Sequence, residues 1–216
     1  MSDSPAFRSL LEADKTLGLD PSQIERAVQF REEVLKENEI QNLTRLLSPQ
    51  DFLDGHVRDV VHLHRSNLVT YPAMDLGAGM GVPGLFYALL YGTEGGKEWI
   101  SCDSEASKAG FSQRMIDLFG LEGVTAEGIR AEEVLDNQEV GSIVARAVGP
   151  VSRIYGWIRT RSTWNNLVLL KGPKWTEEWA DFTSSPQKNK LRLAAEYKYA
   201  VGQEEKQRII VKLARK

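Results

Sequence analysis

Three segments in the first 66 residues carry apolar side chains at the spacing of one helix face. They cover residues 5–18, about 21–37 and about 49–65. Asp20 and Ser48 precede the second and third segments, and each is followed by a proline. Aspartate and serine cap helix N-termini, and proline suits the first helical turn. We therefore expect residues 1–66 to form a small helical cap.

From residue 67 onward, short apolar segments of strand length alternate with segments of helical spacing. Strands are expected just before the glycine-rich stretch 74–84 and over 99–103, 123–128, 142–145 and 167–170. Helices are expected after the glycine-rich stretch and over 106–119, 131–136 and about 150–162. This alternation implies a mostly parallel sheet with helices on both faces. The tail differs, because strands at 193–201 and 208–213 flank a polar turn and predict an antiparallel hairpin. Residues 67–216 are therefore predicted to form one Rossmann-like α/β domain.

Residues 74–84 read MDLGAGMGVPG and join a strand to a helix. Glycines in such a turn let the backbone approach a ligand, and the helix that follows exposes free N–H groups. Pro83 suits the first turn of that helix. The stretch is therefore expected to bind a nucleotide-like cofactor. A glycine turn that binds no ligand is the plain structural alternative.

Two cofactors fit this stretch. From Gly79 the sequence satisfies GxGxxG, and Asp103 ends the next strand about twenty residues on, as in NAD-binding domains. From Asp75 it reads DxGxG, which resembles the first motif of class I methyltransferases, the enzymes that bind S-adenosylmethionine (SAM). An acidic residue at the loop can face the positive end of SAM, whereas it would repel a pyrophosphate. The antiparallel tail is also typical of class I methyltransferases, so the sequence favours SAM over NAD.

Ligands of open α/β sheets bind beyond the carboxyl ends of the strands. Asp103 follows the second strand, where its two oxygens suit the two ribose hydroxyls of a cofactor; a helix N-cap is its simpler role. Arg146 and Lys171 follow the fourth and fifth strands, where they either position the substrate or are solvated strand ends. The residues expected to bind the cofactor are Asp75, Gly77, Ala78, Gly79, Gly81, Pro83, Asp103, Ser104, Arg130, Ala131, Glu132 and Arg146.

Composition narrows the class of protein. The chain has 216 residues, of which 42% are hydrophobic and 26% are charged, as in ordinary globular proteins. The single cysteine, Cys102, excludes an internal disulfide, and the three histidines form no zinc-type cluster. No apolar run reaches the length of a membrane span, and no secretory signal is visible at the N-terminus. We therefore expect a cytoplasmic, monomeric enzyme that holds no metal.

The net charge of −3 does not by itself indicate a nucleic-acid partner, but the charges are unevenly placed. Residues 141–176 contain six basic residues and no acidic one, and residues 188–216 contain nine basic residues and three acidic ones. Residues 94–140 contain eleven acidic residues and four basic ones. This distribution permits a basic face for a phosphate backbone. Ordinary solvated lysines and arginines are the alternative.

Several short motifs follow one another in order over about residues 30–213. They are Asn42-Leu43-Thr44, His56-x-x-Asp59, the stretch from Asp75 to Gly84, Asp103-Ser104, Phe111, Arg130 to Glu133, Arg146-Ala147 and Lys171-Gly172. The glycine-rich stretch with Pro83-Gly84 is the most specific of them. As an ordered series they resemble the glucose-inhibited division protein B family. Members of that family are the bacterial 16S rRNA (guanine-N7) methyltransferases of the small-subunit methyltransferase G type.

The resemblance implies transfer of a methyl group from SAM to N7 of one guanine in 16S rRNA, with S-adenosylhomocysteine as the second product. The substrate is then 16S rRNA or the 30S subunit. Arg146 and Lys171 would act as catalytic residues that position the substrate. The residues assigned to the substrate cleft are Asn42, His56, Asp59 and Lys108. A simpler role for His56 and Asp59, which share one helix face, is hydrogen bonding between the cap and the core.

Two departures from the family pattern concern RNA contacts rather than the SAM pocket. Val60 stands where the family usually has serine, and Ser107-Lys108 followed by Ala109-Gly110 stands where it has a Lys-Arg pair. A divergent paralogue that acts on another RNA or on a small molecule is therefore one alternative. An NAD-binding oxidoreductase is another, but the chain contains no Tyr-x-x-x-Lys pair for hydride transfer.

Overall fold

Seven strands form one sheet in the computed structural model, which describes residues 3–202 and 204–216. The strands are β1 Ala73–Leu76, β2 Trp99–Cys102, β3 Val124–Glu127, β4 Val140–Arg146, β5 Trp164–Lys171, β6 Leu191–Val201 and β7 Lys206–Arg215. Their order across the sheet is β3-β2-β1-β4-β5-β7-β6. The pairs β1–β2, β1–β4, β2–β3 and β4–β5 are parallel, and β7 is antiparallel to β5 and to β6. The predicted α/β sheet with an antiparallel C-terminal hairpin is confirmed.

The helices are α1 Ser4–Ala13, α2 Pro21–Asn38, α3 Pro49–Phe52, α4 Arg58–Ser66, α5 Gly84–Tyr91, α6 Ala106–Phe119, α7 Ala131–Asn137, α8 Val151–Ile158 and α9 Trp175–Ser184. The continuous helices predicted over 5–18 and 49–65 are each interrupted. A 3-10 turn at Lys15–Leu17 follows α1, where the Asp14 side chain accepts the Thr16 N–H. A π-helical turn at Leu53–Val57 joins α3 to α4. This turn contains Gly55, which packs so closely on Leu46 that a Cβ there would lie 2.2 Å from the Leu46 Cδ1 atom.

Helix α9 has no counterpart in the sequence prediction. Its large apolar residues are only Trp175, Trp179 and Phe182, spaced four and three positions apart. Their rings stack in series, with centroids 5.6 and 5.5 Å apart. The helical period therefore rests on three bulky rings among polar residues, which is too sparse a pattern to stand out in the sequence.

The helix starts expected at Asp20 and Ser48 are confirmed. The Asp20 carboxylate accepts the Gln23 N–H at 2.9 Å, and the Gln23 side chain accepts the Asp20 N–H at 2.8 Å. Ser48 Oγ accepts the Asp51 N–H at 3.1 Å. These bonds satisfy N–H groups that have no partner inside the first helical turn.

Helices cover both faces of the sheet. On one face, the cap helices and α5 share a core that includes the stacked rings of Phe30 and Phe86, with centroids 4.6 Å apart. On the other face, α7, α8 and α9 pack around Trp164 and Phe182. Phe30 lies in α2 and Phe86 in α5, so the cap and the sheet are packed through common apolar contacts. The domain boundary after residue 66 stays a prediction.

The connector between α2 and α3, residues 39–48, lies at the carboxyl ends of the strands. The Gln41 side chain donates a hydrogen bond to the Ser107 carbonyl near the start of α6, at 3.1 Å. Leu46 lines the same cavity as Arg146 at the end of β4. The connector therefore reaches from α6 to β4, over the edge of the sheet where ligands of this fold bind.

Candidate functional site

The glycine turn between β1 and α5 is tied to the end of β2. The N–H groups of Gly77 and Ala78 donate to the Cys102 carbonyl at 2.8 and 3.0 Å. The Gly79 N–H donates to the Asp103 carboxylate at 2.9 Å. Gly79 has a φ of 58°, and a Cβ added to it would meet no protein atom within 4 Å. The turn thus presents bare backbone to open space beside Asp103.

Asp75 lies beneath this turn and is only 1% exposed. Its Oδ2 accepts the Gly84 N–H at the start of α5, at 2.7 Å, and its Oδ1 has no partner among the described residues. Burial raises the pKa of Asp75 to about 7, and Asp103 adds to the shift, whereas the Gly84 N–H and Arg146 oppose it. A Cβ on Gly84 would lie 2.8 Å from the Asp75 Cβ, so the close approach of strand and helix requires glycine. The expected contact of Asp75 with a ligand stays a prediction.

A cavity of about 160 Å³ opens between the ends of β1, β2 and β3. Six of the residues expected to bind the cofactor line it, namely Gly77, Asp103, Ser104, Arg130, Ala131 and Glu132. Ala78, Gly81 and Pro83 instead lie in the turn itself and are buried. Val148 and Trp157 also line the cavity, and neither was predicted from the sequence as a site residue. Trp157 is 37% exposed, whereas its neighbour Ile158 on α8 is buried. A tryptophan outside the apolar stripe of a helix was the one sequence signal that could have pointed to Trp157.

Asp103 is held with both oxygens near the cavity. Its Oδ1 accepts the Glu105 N–H at 2.9 Å, and its Oδ2 accepts the Gly79 N–H. A carboxylate oxygen can accept two hydrogen bonds, so each keeps capacity for a ligand donor. Glu105, rather than Asp103, occupies the N-cap position of α6. The carboxylate is thus oriented by backbone groups on both sides.

A second cavity, of about 280 Å³, lies at the ends of β4 and β5 beneath the cap. Asp59, with a side chain only 4% exposed, accepts hydrogen bonds there from three partners. They are Tyr199 at 2.7 Å, Arg146 at 3.3 Å and Arg208. Asp59 therefore fixes two guanidinium groups in one cavity. Tyr199 and Arg208 were not predicted as site residues, because nothing near them in the sequence indicates a contact with Asp59.

Arg146 is positioned by the cap and by its own strand. Its Nη1 donates to the Gly55 carbonyl at 2.6 Å as well as to Asp59, whereas its buried Nε has no partner among the described residues. Ala147, the next residue, has a φ of 59°. Such a backbone conformation is strained for alanine, and strain of this kind concentrates at functional sites.

Lys171 is not free in the second cavity. Its ammonium donates to the Gly149 carbonyl and to Glu178, both at 2.7 Å. Glu178 also accepts the Val151 N–H at 2.7 Å. Lys171 therefore fastens the loop between β4 and α8, and any action on a substrate would pass through that loop.

The residues expected in the substrate cleft separate into two groups. Asp59 lines the second cavity, and His56 is buried beside it, with its Nε2 3.0 Å from Thr44 Oγ1. Asn42 is exposed in the connector, and Lys108 is paired with Glu105 at 2.7 Å on α6. Asn42 and Lys108 line neither of the two cavities. The hydrogen bond of His56 stays within the cap, whereas Asp59 makes the cap-to-core bonds considered for this pair, with Arg146 and Tyr199.

The buried His56 should make stability fall at acid pH. Burial, together with the charges of Arg146 and Arg208, lowers the pKa of His56 from 6.5 to about 2. Below pH 6.5 the unfolded chain therefore binds a proton at His56 that the folded chain does not. As far as His56 is concerned, the free energy of unfolding has its full value above pH 6.5 and decreases as the pH falls below it. The loss at pH 5 is about 2 kcal/mol. Urea unfolding at pH 7.5 and pH 5 should show a smaller difference in His56→Gln than in the wild type; equal differences would contradict the argument.

No group of histidine, cysteine, aspartate or glutamate side chains in residues 3–202 and 204–216 is arranged to hold a metal ion. Within the same residues, no helix combines the length and the apolar character that crossing a membrane requires.

Comparison with known proteins decides the family. The family model described as rRNA small subunit methyltransferase G matches residues 23–210. The chain belongs to this family. A ribosomal RNA small subunit methyltransferase G from Rhodopirellula baltica is 28% identical over 169 residues, covering 78% of this chain and 69% of the relative. Its counterpart from Solibacter usitatus is 28% identical over 177 residues, covering 82% and 83%.

Solved structures agree with this membership at the level of the fold. The ribosomal protein L11 methylase from Lactobacillus delbrueckii subsp. bulgaricus aligns with a TM-score of 0.52 at 14% identity, covering 72% of this chain and 75% of that one. TrmK from M. capricolum, solved with S-adenosyl-homocysteine, aligns with a TM-score of 0.52 at 12% identity, covering 71% and 67%. As a member of the methyltransferase G family, the chain is an SAM-dependent methyltransferase with a Rossmann-like fold.

The first cavity fits the cofactor of the methyltransferase G family. Asp103 offers two oriented acceptor oxygens, as a ribose with two hydroxyls requires, and the open space at Gly79 leaves room for a ligand against bare backbone. The prediction of SAM is confirmed by the family, and the NAD alternative is not supported.

Proposed function

We propose that this enzyme transfers the methyl group of SAM to N7 of one guanine in small-subunit rRNA. The observation that supports this most directly is the loop after β4. Arg146 and Ala147 line the second cavity, and Val148, the next residue, lines the first. Three consecutive residues thus connect the two cavities, so a base held in the second would face a cofactor held in the first.

In this proposal the cofactor lies in the first cavity. Asp103 accepts hydrogen bonds from the ribose hydroxyls, and the backbone at Gly77 and Gly79 faces the amino-acid end. Asp75 holds the turn against α5 by accepting the Gly84 N–H. Arg130, Ala131 and Glu132 surround the adenine. Trp157 and Val148 supply the apolar contact that an adenine ring requires.

The chemistry needs positioning rather than a base. Bound SAM supplies an electrophilic methyl group on a sulfonium. Guanine N7 attacks with a lone pair that carries no proton, so no residue has to remove one. The methyl–sulfur bond breaks as the methyl–nitrogen bond forms, which leaves a cationic guanine and a neutral thioether. Arg146 would donate to guanine O6 or to a phosphate, and holding N7 in line with the methyl group would lower the barrier by several kcal/mol.

The test is transfer of labelled methyl from SAM to 30S subunits and to deproteinised rRNA, both from a strain that lacks the enzyme. Strand cleavage specific for N7-methylguanine then maps the product. Label at a single small-subunit guanine is expected, and the better substrate identifies the form of RNA recognised. SAM binding with no label on either RNA would mean that the substrate is another molecule. The absence of the family's Lys-Arg pair near Lys108 would then be the first difference to test. Failure to bind SAM would contradict the proposal as a whole.

Arg146→Ala should separate methyl transfer from cofactor binding. Arg146 was also expected to bind the cofactor, but it lines the second cavity and not the first. The change therefore removes a guanidinium fixed in the second cavity and leaves the lining of the first unaltered. We expect kcat/KM for rRNA to fall on the order of 100-fold, because a misplaced substrate loses near-attack geometry. The Kd for SAM, measured by calorimetry, should change by less than about threefold, below 1 kcal/mol.

Arg159→Ala is the matched control, because Arg159 is exposed at the end of α8 and outside both cavities. Lys171→Ala is expected to have a smaller effect than Arg146→Ala, since Lys171 acts through the loop between β4 and α8. Equal losses in Arg146→Ala and Arg159→Ala would show that only general charge matters.

We also propose that the enzyme acts as a monomer in the cytoplasm. A ribosomal substrate supports the location. Light scattering of the purified protein should give the mass of one chain, 24.2 kDa, and twice that mass would contradict a monomer.

A further inference from the structure

Three adjoining cavities share Arg208. The central one, of about 280 Å³, holds Arg146 and Asp59. A cavity of about 320 Å³ lies on one side, between α3 and the turn of the C-terminal hairpin, and shares Leu46, Gly55 and Arg208 with the centre. A cavity of about 260 Å³ lies on the other side, between the β5–α9 turn and the hairpin, and shares Gly172 and Arg208. Together they form one groove past the proposed position of the target guanine.

The two side cavities differ in charge. The 320 Å³ cavity is lined by three acidic residues, Asp51, Asp54 and Glu204, against Lys206 and Arg208. The 260 Å³ cavity is lined by Lys198 and Arg208, and its lining includes no acidic residue. A phosphate backbone is repelled by the first arrangement and attracted by the second. We call them the acidic side and the basic side of the groove.

Two carboxylates lie near the basic side, but neither lines its cavity. Glu196, on β6, accepts the indole N–H of Trp175 at 3.1 Å. Glu178, in the first turn of α9, is paired with Lys171. Lys198 is exposed on the edge strand of the sheet, and its next neighbour Tyr199 donates its hydroxyl hydrogen to Asp59. Neighbouring residues of a strand face opposite sides of a sheet, so Lys198 can be changed without touching the Asp59 cluster.

We propose that the RNA strand flanking the target guanine runs through the basic side of the groove, with a phosphate at Lys198, and is kept out of the acidic side. This inference rests on the proposed function, and it names the path of the substrate. The target base must be unpaired or flipped out to enter a protein cavity. The flanking nucleotides on one side of that base would then lie, unpaired, in the basic side of the groove.

The experiment compares Lys198→Glu with Lys206→Glu. Both reverse one exposed lysine on the C-terminal hairpin, so they change the net charge of the chain equally. Lys198 lines the basic side, whereas Lys206 lines the acidic side and is paired with Glu204 at 3.2 Å. The probe is deproteinised small-subunit rRNA, whose binding to the full-length enzyme is measured from low to moderate salt and whose methylation is followed with labelled SAM.

Lys198→Glu should weaken rRNA binding roughly tenfold at low salt and lower the slope of log affinity against log salt by about 1. Its KM for rRNA should rise by the same factor, with kcat and the Kd for SAM unchanged. Lys206→Glu should stay within about twofold of the wild type. A purely structural defect in Lys198→Glu would lower kcat or SAM affinity instead of the salt slope, and Lys198→Arg should restore binding.

Equal losses in the two glutamate variants would overturn the path, and a larger loss in Lys206→Glu would reverse it. These outcomes are distinct from failure of the proposed function. If the wild type transfers label to rRNA, the function stands and only the path is wrong. If the wild type transfers no label to rRNA, the function and the path fall together.

Discussion

Asp103→Ala is expected to weaken SAM binding on the order of 100-fold. The carboxylate is oriented by the N–H groups of Gly79 and Glu105, and each oxygen has capacity for one ribose hydroxyl. A hydrogen bond to a charged group contributes about 1.5 kcal/mol or more, so the loss of two costs about 3 kcal/mol. The Kd for SAM, measured by calorimetry, checks the magnitude.

Two variants sharpen the Asp103 result. Asp103→Asn keeps the size of the side chain and one acceptor oxygen, so its SAM affinity should lie between those of the wild type and Asp103→Ala. Asp117→Ala removes an exposed carboxylate from the same region of the chain, on α6, and should leave the Kd unaltered. An unchanged Kd in Asp103→Ala would show that the ribose assignment is wrong.

Asp59→Ala is expected to lower the free energy of unfolding by about 3–5 kcal/mol, the usual cost of removing one partner from a buried ion pair. The change would leave Arg146, Arg208 and the Tyr199 hydroxyl without their shared acceptor. Urea unfolding at pH 7.5 measures the difference. Methyl transfer to rRNA should be lost with it, because Arg208 would lose this acceptor and Arg146 would be held only by the Gly55 carbonyl.

Asp59→Asn keeps the side-chain volume and one acceptor, and provides a measurement if Asp59→Ala does not fold. Its free energy of unfolding should lie between those of the wild type and the alanine variant, and its affinity for SAM should equal that of the wild type. Asp117→Ala again serves as the exposed control. A change of less than about 0.5 kcal/mol in Asp59→Ala, the range of ordinary surface substitutions, would contradict a structural role for this carboxylate.

The cofactor side of the fold was predictable because its signals are local. The glycine turn and the helix that follows occupy residues 74–91, and Asp103 ends the next strand in the chain. Parallel strands bring such ends together whatever the register of the rest of the sheet. Six of the residues predicted from these local signals line the first cavity.

The substrate side was only partly predictable because its contacts are distant in sequence. Tyr199 and Arg208 reach Asp59 across 140 and 149 residues. Their meeting depends on how the hairpin packs against α4, which no spacing in the chain reveals. The same holds for Lys171, whose partner Glu178 lies on α9, the helix that the sparse apolar pattern did not indicate. Arg146 and Lys171 were predicted as site residues from their type and their place at strand ends. Only the packing shows that Arg146 lines the second cavity beside Asp59, whereas Lys171 is paired with Glu178.

The Asp59 cluster also bears on how the chain matures during synthesis. Domains form as the chain emerges from its N-terminus, so Asp59 and the glycine turn are available long before Tyr199 and Arg208. A nascent chain that still lacks β6 and β7 has two of the three partners of Asp59 missing. The cofactor half can therefore assemble early, whereas the substrate half waits for the final hairpin. A truncated product would lack two of the three donors to Asp59 and would leave the edge of β5 unpaired, and an unpaired strand edge promotes aggregation.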